Sequence, residues 1–349
     1  MPCAPFAVDP ILSAARTPPG AFYDDQALHR CMLEAFASAW QAVPDLPQPT
    51  RYDQLASTLL PGSLDEPLLV VHDGERERAF SNVCTHRGAL LVDDRRRGKR
   101  IACPYHGRCF GLDGAVVTAP GFEGREGELP PLPELVLDRL GPLRWVAPPG
   151  TEGGVADFVR VLDQRAPGLP WAQAVARSDL AANYEVPAHW ALYVENYLEG
   201  LHIPFVHPGL DAAVERDSYT TEPVEGGVLQ TALARGDGPT LPGGAAALYL
   251  WLFPNTMLNV YPWGVSLNVV LPLTVGSCRV LFRSYVWDAD LLDAGAGAGL
   301  DAVEVEDEAV VARVREGIGA RLYDRGHYSD PAEAGVHQFH RLLTSFLWP

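Results

Sequence analysis

The sequence is short of positive charge. Its 349 residues carry 27 Lys and Arg against 44 Asp and Glu, a formal net charge of −17. So acidic a chain is not built to hold nucleic acid or an anionic lipid surface as its main partner. It lacks any apolar run long enough to span a bilayer. Its first residues, Met1-Pro-Cys-Ala-Pro-Phe6, show no basic stretch followed by an apolar core. No secretory leader is therefore expected, and a cytoplasmic location is. Six cysteines at irregular spacing make no disulfide framework. In such a chain, Cys close to His reads first as metal binding. No internal repeat is evident. The glycine fingerprint of a flavin or nicotinamide site is absent, as is the cysteine run of a plant-type ferredoxin. Any electrons this chain uses must come from a separate protein.

What is present fits two domains, the default for a chain of this length. Residues 24–43 read as an amphipathic helix with Asp24 and Asp25 at its start and Pro44 and Pro47 beyond its end. From 45 to 150 the pattern turns to short β-rich runs. Leu68–His72 and Ala79–Val83 are two of them, and Leu112-Asp-Gly-Ala-Val-Val117 holds a hairpin turn signal. Within this region the Pro- and Gly-rich residues 119–150 read as a connection. Beyond it, Val155–Leu162 and Tyr184–Leu201 read as helices. Strands are expected over Val228–Ala234, Ala247–Phe253, Asn255–Tyr261, Val265–Leu273 and Val280–Val286. Gly295-Ala-Gly-Ala-Gly299 reads as a flexible, solvated link, and Leu300–Leu322 as a helix.

Two constellations carry chemistry. In the first, Glu199, His202 and His207 are spaced E-x-x-H-x-x-x-x-H. Two imidazoles and one carboxylate on one face suit ferrous iron with open positions. On a helix Glu199 and His202 would share a face, and Pro204 would break the helix and bring His207 back. A capped helix with two hydrogen-bonded histidines is the structural alternative. In the second, Cys84-Thr-His86 and Cys103-Pro-Tyr-His106 each offer one thiolate and one imidazole from a tight loop. That pattern suits a [2Fe–2S] cluster with two Cys on one iron and two His on the other. Gly88 and Gly107 allow backbone close to the cluster sulfurs. A structural zinc site is the rival, but zinc fingers pair Cys with Cys and His with His.

Cys84-Thr-His-Arg-Gly-Ala89 with Cys103-Pro-Tyr-His-Gly107, and Asn196-Tyr-Leu-Glu-Gly-Leu-His202 with His207, resemble the two metal motifs of the catalytic α subunits of Rieske non-haem iron oxygenases. The resemblance runs almost end to end. It is nearest to the branch of choline monooxygenase and the glycine-betaine and carnitine oxygenases, through Trp190–Glu199, Phe253–Met257 and Val305–Glu308. It implies an α+β fold in which residues 45–150 form an inserted antiparallel β Rieske domain. Residues 1–44 and 151–349 form a helix-grip catalytic domain, a curved antiparallel sheet around a long helix. It implies a carboxylate ligand near the C-terminus. Asp307 is the choice, although Glu304, Glu306 and Glu308 stand beside it. Glu199 then leaves the ligand set of His202, His207 and Asp307. It becomes the residue coupling an iron-bound His202 to a cluster-bound His106 across the interface of a head-to-tail homotrimer. O₂ is the implied co-substrate, and a ferredoxin or NAD(P)H-dependent reductase the electron donor. The implied outcome is hydroxylation, oxidative demethylation or dihydroxylation of a small organic substrate, with monooxygenation favoured. An electron-transfer protein with an inactive iron site is the alternative from another class.

Many family members carry Trp where Arg108 stands. Cys109 has no partner at a matching position, so a disulfide guarding the cluster is not expected. Cys3, Cys31 and Cys278 read as ordinary thiols. Arg87, Arg95, Arg96, Arg97, Lys99, Arg100 and Arg108 surround the cluster motif. They read either as a solvated hairpin tip or as a docking patch for an acidic electron donor. Tyr249, Trp251, Phe253, Tyr261 and Trp263 read mainly as core, with a minority available to box a quaternary ammonium group by cation–π attraction.

Overall fold

The computed structural model describes residues 6–348, so Cys3 lies outside the described residues. The chain divides into two compact units, Ser38–Glu152 and Met1–Ala37 with Gly153–Pro349.

The smaller unit is all β. Its seven-stranded antiparallel sheet has the order β1-β10-β9-β4-β3-β2-β5. The strands are β1 (Gln41–Ala42), β2 (Asp53–Leu59), β3 (Glu66–His72), β4 (Glu77–Ser81), β5 (Arg95–Arg97), β9 (Glu134–Leu140) and β10 (Leu143–Ala147). A separate three-stranded sheet is built from β6 (Arg100–Ala102), β7 (Cys109–Gly111) and β8 (Val116–Thr118). Two expectations change here. Residues 119–150 are more than a connection: β9 and β10 pair across a turn at Gly141, whose φ of 56° favours glycine. The N-terminal helix, α1, covers only Gln26–Ser38. Asp25 caps it, its carboxylate accepting from the Ala27 and Leu28 amides at 2.8 and 3.0 Å. Gln41–Ala42 leave the helix because they pair with Val146 and Trp145 at the sheet edge, which assigns them to the β unit.

The larger unit is a second seven-stranded antiparallel sheet, ordered β11-β17-β16-β15-β14-β13-β12, with helices packed against it. A helix α2 (Val155–Arg165) precedes β11 (Val175–Val186). Next come α3 (Trp190–Tyr197), α4 (Ile203–Val206) and α5 (Pro208–Ala213). The meander β12 (Thr220–Val224), β13 (Gly227–Leu233), β14 (Ala245–Leu252), β15 (Thr256–Tyr261), β16 (Gly264–Thr274) and β17 (Ser277–Val286) completes the sheet. Every residue of β14 and β15 is buried, which is why they read as continuous apolar runs rather than alternating ones. The long α6 (Leu300–Ile318) and the final α7 (Ala334–Leu347) follow. Phe339 of α7 meets Trp190 of α3 and Trp251 of β14 edge-on, with ring centres 5.6 and 5.4 Å apart.

The expected helix over Tyr184–Leu201 is in fact the end of a strand followed by a short helix. Tyr184, Glu185 and Val186 pair with Val280, Arg279 and Cys278. Pro187 then separates the strand from α3, whose N-cap is His189. Strand pairing over such a sequence distance leaves no local periodicity to read. Gly295–Gly299 is likewise not a solvated link. Ala296 and Gly297 are buried, and the Trp263 indole donates to the Gly297 carbonyl at 3.2 Å. A Cβ on Gly297 would stand 2.2 Å from the Trp263 Nε1, so only glycine lets this turn close.

Candidate metal centres

In the β unit, two loops of like design approach each other. In one, the Cys84 carbonyl accepts from the Gly88 amide at 3.0 Å; in the other, the Cys103 carbonyl accepts from the Gly107 amide at 3.2 Å. Both glycines have φ near 72°, a left-handed conformation that brings each loop round within four residues. The thiols of Cys84 and Cys103 are buried, while Tyr105 and His106 are exposed. The His86 and His106 rings lie 4.8 Å apart, centre to centre. Desolvation, with the Arg108, His106 and Arg87 charges, lowers the His86 pKa and keeps the ring neutral, the state a metal ligand needs. The donor set therefore fits the cluster: two thiols at the buried end, two neutral-capable imidazoles at the exposed end. Arg108 is buried beneath the loop over the Phe122 ring, so it is not part of the basic surface patch. Cys109 is unpaired.

In the larger unit, His202, His207 and Asp307 present one ligand atom each, all within 4.8 Å of one another. The local geometry differs from the helical expectation. Helix α3 ends at Tyr197, and Glu199 lies in the turn beyond it. Its carboxylate accepts from the backbone amides of Leu201 and His202 and stands 2.6 Å from His202 Nδ1. The i, i+3 contact is real, but a turn makes it. Pro204 starts α4 rather than kinking a longer helix, the position where a missing N–H is free. That single turn of helix carries His207 back into the core, where it is 1 % exposed.

Asp307 Oδ1 lies 2.9 Å from His207 Nε2 and 3.6 Å from His202 Nε2, and the Asn196 amide donates to it at 2.6 Å. Both Nε2 atoms thus face one carboxylate oxygen. The two Nδ1 atoms are held by other carboxylates, His202 by Glu199 and His207 by Glu306 at 2.8 Å. Burial alone would lower the His207 pKa, but Asp307 and Glu306 outweigh it and raise it. The donor set fits a ferrous ion: two imidazole nitrogens and one carboxylate oxygen, each held by an outer hydrogen bond. Glu306 was visible in the sequence only as a neighbour of Asp307. Nothing but the fold could show that adjacent helix residues would take opposite nitrogens of one ring.

A cavity of about 90 Å³ opens beside these three residues. Tyr197, Tyr219, Tyr249 and Tyr261 wall it, with Glu304 and Ala296. Of the aromatic residues flagged in the sequence, Tyr249 and Tyr261 reach the cavity. Trp263 stacks behind Tyr261 at 5.2 Å, and Trp251 packs on Phe253 and Phe339. Tyr197 and Tyr219 are additions of the fold. Burial raises the pKa of all four tyrosines, so their rings are neutral phenols.

Residues 57–133 match the Rieske [2Fe-2S] domain family, and residues 175–347 match the ring hydroxylating alpha subunit (catalytic domain) family. The chain is 29% identical over 367 residues to the chloroplastic choline monooxygenase of Arabidopsis thaliana, covering 95% of this chain and 83% of that protein. It is 29% identical to the carnitine monooxygenase oxygenase subunit of Escherichia coli, covering 94% of this chain and 93% of that one. In fold it is similar to a quaternary ammonium Rieske monooxygenase solved with L-carnitine, with a TM-score of 0.75, 23% identity and 96% of each chain covered. It is also similar to naphthalene 1,2-dioxygenase from Rhodococcus sp., with a TM-score of 0.68, 16% identity, and 95% of this chain and 94% of that one covered.

Proposed function

Since the chain belongs to the ring-hydroxylating α-subunit family of Rieske non-haem iron oxygenases, we propose that it hydroxylates or oxidatively demethylates a small quaternary ammonium compound. The observation that carries this reading is the convergence of His202 Nε2, His207 Nε2 and Asp307 Oδ1 at the wall of a tyrosine-lined cavity. Cys84 and Cys103 would hold one iron of the cluster, His86 and His106 the other. His202, His207 and Asp307 would hold the mononuclear iron. When bound, the cluster supplies single electrons and the iron activates O₂ against a C–H bond.

The protein's own part is positioning. Glu199 and Glu306 accept the Nδ1 protons of His202 and His207, which fixes both tautomers and leaves both Nε2 lone pairs turned towards Asp307. Asn196 steadies Asp307. The tyrosine wall shields the site from bulk water and offers π faces to a cation. Glu199 is the coupling residue in this reading, meeting the cluster ligand His106 of a neighbouring copy in a homotrimer. Exposed Leu201 and Phe205 beside it, the latter 88% accessible, offer apolar surface for such an assembly.

Electrons would arrive from an acidic ferredoxin or reductase at the β5–β6 hairpin, in the cytoplasm. Among the described residues, Arg96, Arg97, Lys99 and Arg100 are exposed and pair with no acid, whereas Arg95 pairs with Asp53. Strand β6 runs from Arg100 straight into Cys103, so the patch ends beside the cluster loop.

The test is anaerobic iron analysis with EPR of the dithionite-reduced protein. About three irons per chain with a rhombic Rieske signal is expected. About two irons after reconstitution, with the same signal, would make this an electron-transfer protein instead.

A further inference from the structure

The cavity beside the iron ligands contains one carboxyl group that the metal reading does not use. Glu304 is 4% exposed and sits one helical turn before Asp307 on α6. Residues three apart on a helix stand about 5–6 Å from each other. Its Oε1 accepts from the Tyr193 hydroxyl. The other titratable groups near it are Asp301, Asp307, Glu308 and Cys278, each acidic. Burial, reinforced by Asp307, Glu308 and Asp301 and opposed by the Tyr193 hydrogen bond, pushes its pKa up to about 8. A buried carboxyl among acidic neighbours with no cation is costly and is retained where something cationic visits.

The rest of the cavity completes the argument. Its described lining carries three carboxyl groups, Glu199, Glu304 and Asp307, and no Lys or Arg. The remaining polar groups are amides already engaged in part. The Asn259 carbonyl accepts from Tyr197, that of Gln230 from Tyr219, and that of Asn268 from Ser266. The rings of Tyr197, Tyr219 and Tyr261 surround Tyr249 with centres 6.0–6.5 Å away. A quaternary ammonium group has no N–H to donate, so it is recognised by π faces and by uncompensated negative charge. Both are here. A carboxylate at the far end of the same substrate would meet only further carboxylates.

We infer that Glu304 is the cation-recognising residue of this cavity, and that the substrate is a small quaternary ammonium compound with a neutral polar end, choline-like, rather than a betaine bearing a carboxylate. This rests on the oxygenase reading above and sharpens it. Held at Glu304, an N-methyl group or the adjoining methylene lies within one helical turn of Asp307. Glu304 binds and orients; it does not touch the metal. Specificity here is partly repulsive, since the acidic wall works against a carboxylate as it works for a cation.

The test is calorimetric binding to the anaerobic, iron-loaded protein. The probes are choline, L-carnitine and the neutral isostere of choline in which a tert-butyl group replaces trimethylammonium. The wild-type protein should bind choline at least about tenfold more tightly than either other probe. Glu304→Gln preserves the side-chain shape. It should weaken choline binding by on the order of 30-fold or more and leave the isostere unchanged. Equal affinity of wild-type protein for choline and its isostere would overturn cation recognition, with no variant needed. Carnitine binding as tight as choline binding would overturn the neutral-end assignment. Unchanged choline affinity in Glu304→Gln would remove Glu304 from the role. The iron count and EPR stand apart: a protein with its third iron that ignores every probe loses this inference and keeps the oxygenase assignment.

Discussion

The two candidate metal sites differ in how far the chain travels to build them. Each half of the Cys–His site is one loop of five residues, closed by its own backbone hydrogen bond and its own left-handed glycine. The His–carboxylate site joins a turn after α3 to the middle of α6, a hundred residues later. Its ligands are oriented by further side chains from both places. The first site therefore depends on local backbone geometry, the second on the packing of two helices. A substitution near the first should act on ligand identity alone. One near the second should act through orientation as well, and at a greater distance from the metal.

The largest effect expected is loss of the cluster. Cys84→Ser should remove the Rieske EPR signal and about two irons per chain while leaving the mononuclear iron in place. Asp307→Ala should do the reverse, keeping the signal and abolishing product. If either variant emptied both sites, the sites would not be independent as drawn.

Next in size is Glu306→Gln, which keeps a hydrogen-bond partner for His207 but not its charge. Iron affinity should fall about 10–100-fold, read by chelator competition, with the cluster spectrum unmoved. No change would mean that packing, not Glu306, orients His207. For the basic hairpin, Arg96→Glu with Lys99→Glu should slow reduction by an acidic donor about tenfold at low salt, with the gap closing as salt rises. Reduction by dithionite should be unaffected. Lys99 is the only lysine in the chain, so carbodiimide cross-linking of a donor through an amine should be lost in that variant.

The smaller effects concern stability. Gly297→Ala should cost about 1–3 kcal/mol, because a Cβ must displace the Trp263 indole. The unfolding transition of the larger unit should move and that of the β unit should not. Asp53 belongs to the β unit. Burial raises its pKa, but the Thr50 hydroxyl and amide and Arg95 overcome this and hold it at about 2, below the ordinary 3.8. A depressed carboxylate stabilises the fold above its unfolded pKa, and that contribution fades as pH falls from 3.8 towards 2. Asp53→Asn should therefore flatten the acid limb of the stability curve in that window alone.

Much of this architecture could be read in advance where the signal was local. Cys84, His86, Cys103 and His106 stand in motifs that the backbone closes within a few residues. The runs β13–β17 are apolar enough to read as strands. Where a segment's partner lay far away, the reading failed. Tyr184–Val186 is strand because it pairs with β17, and residues 134–147 are two strands because they pair with each other and with β1 and β4. The glycine run at 295–299 looked solvated because glycine has no side chain to signal burial. What it packs against is the ring of Trp263.

The sequence by itself determined the metal chemistry on offer, since residue type fixes which atoms can bind iron. It also determined that electrons come from elsewhere, since no motif for their primary source is present. The tertiary structure decided which of the acidic residues between 304 and 308 does what. On one helix, Glu304 faces the cavity, Glu306 takes His207 Nδ1, and Asp307 faces both Nε2 atoms. Residues so close in sequence share composition and local environment. Only the direction each side chain takes around a helix of 3.6 residues per turn, set against a fixed neighbour, separates their roles.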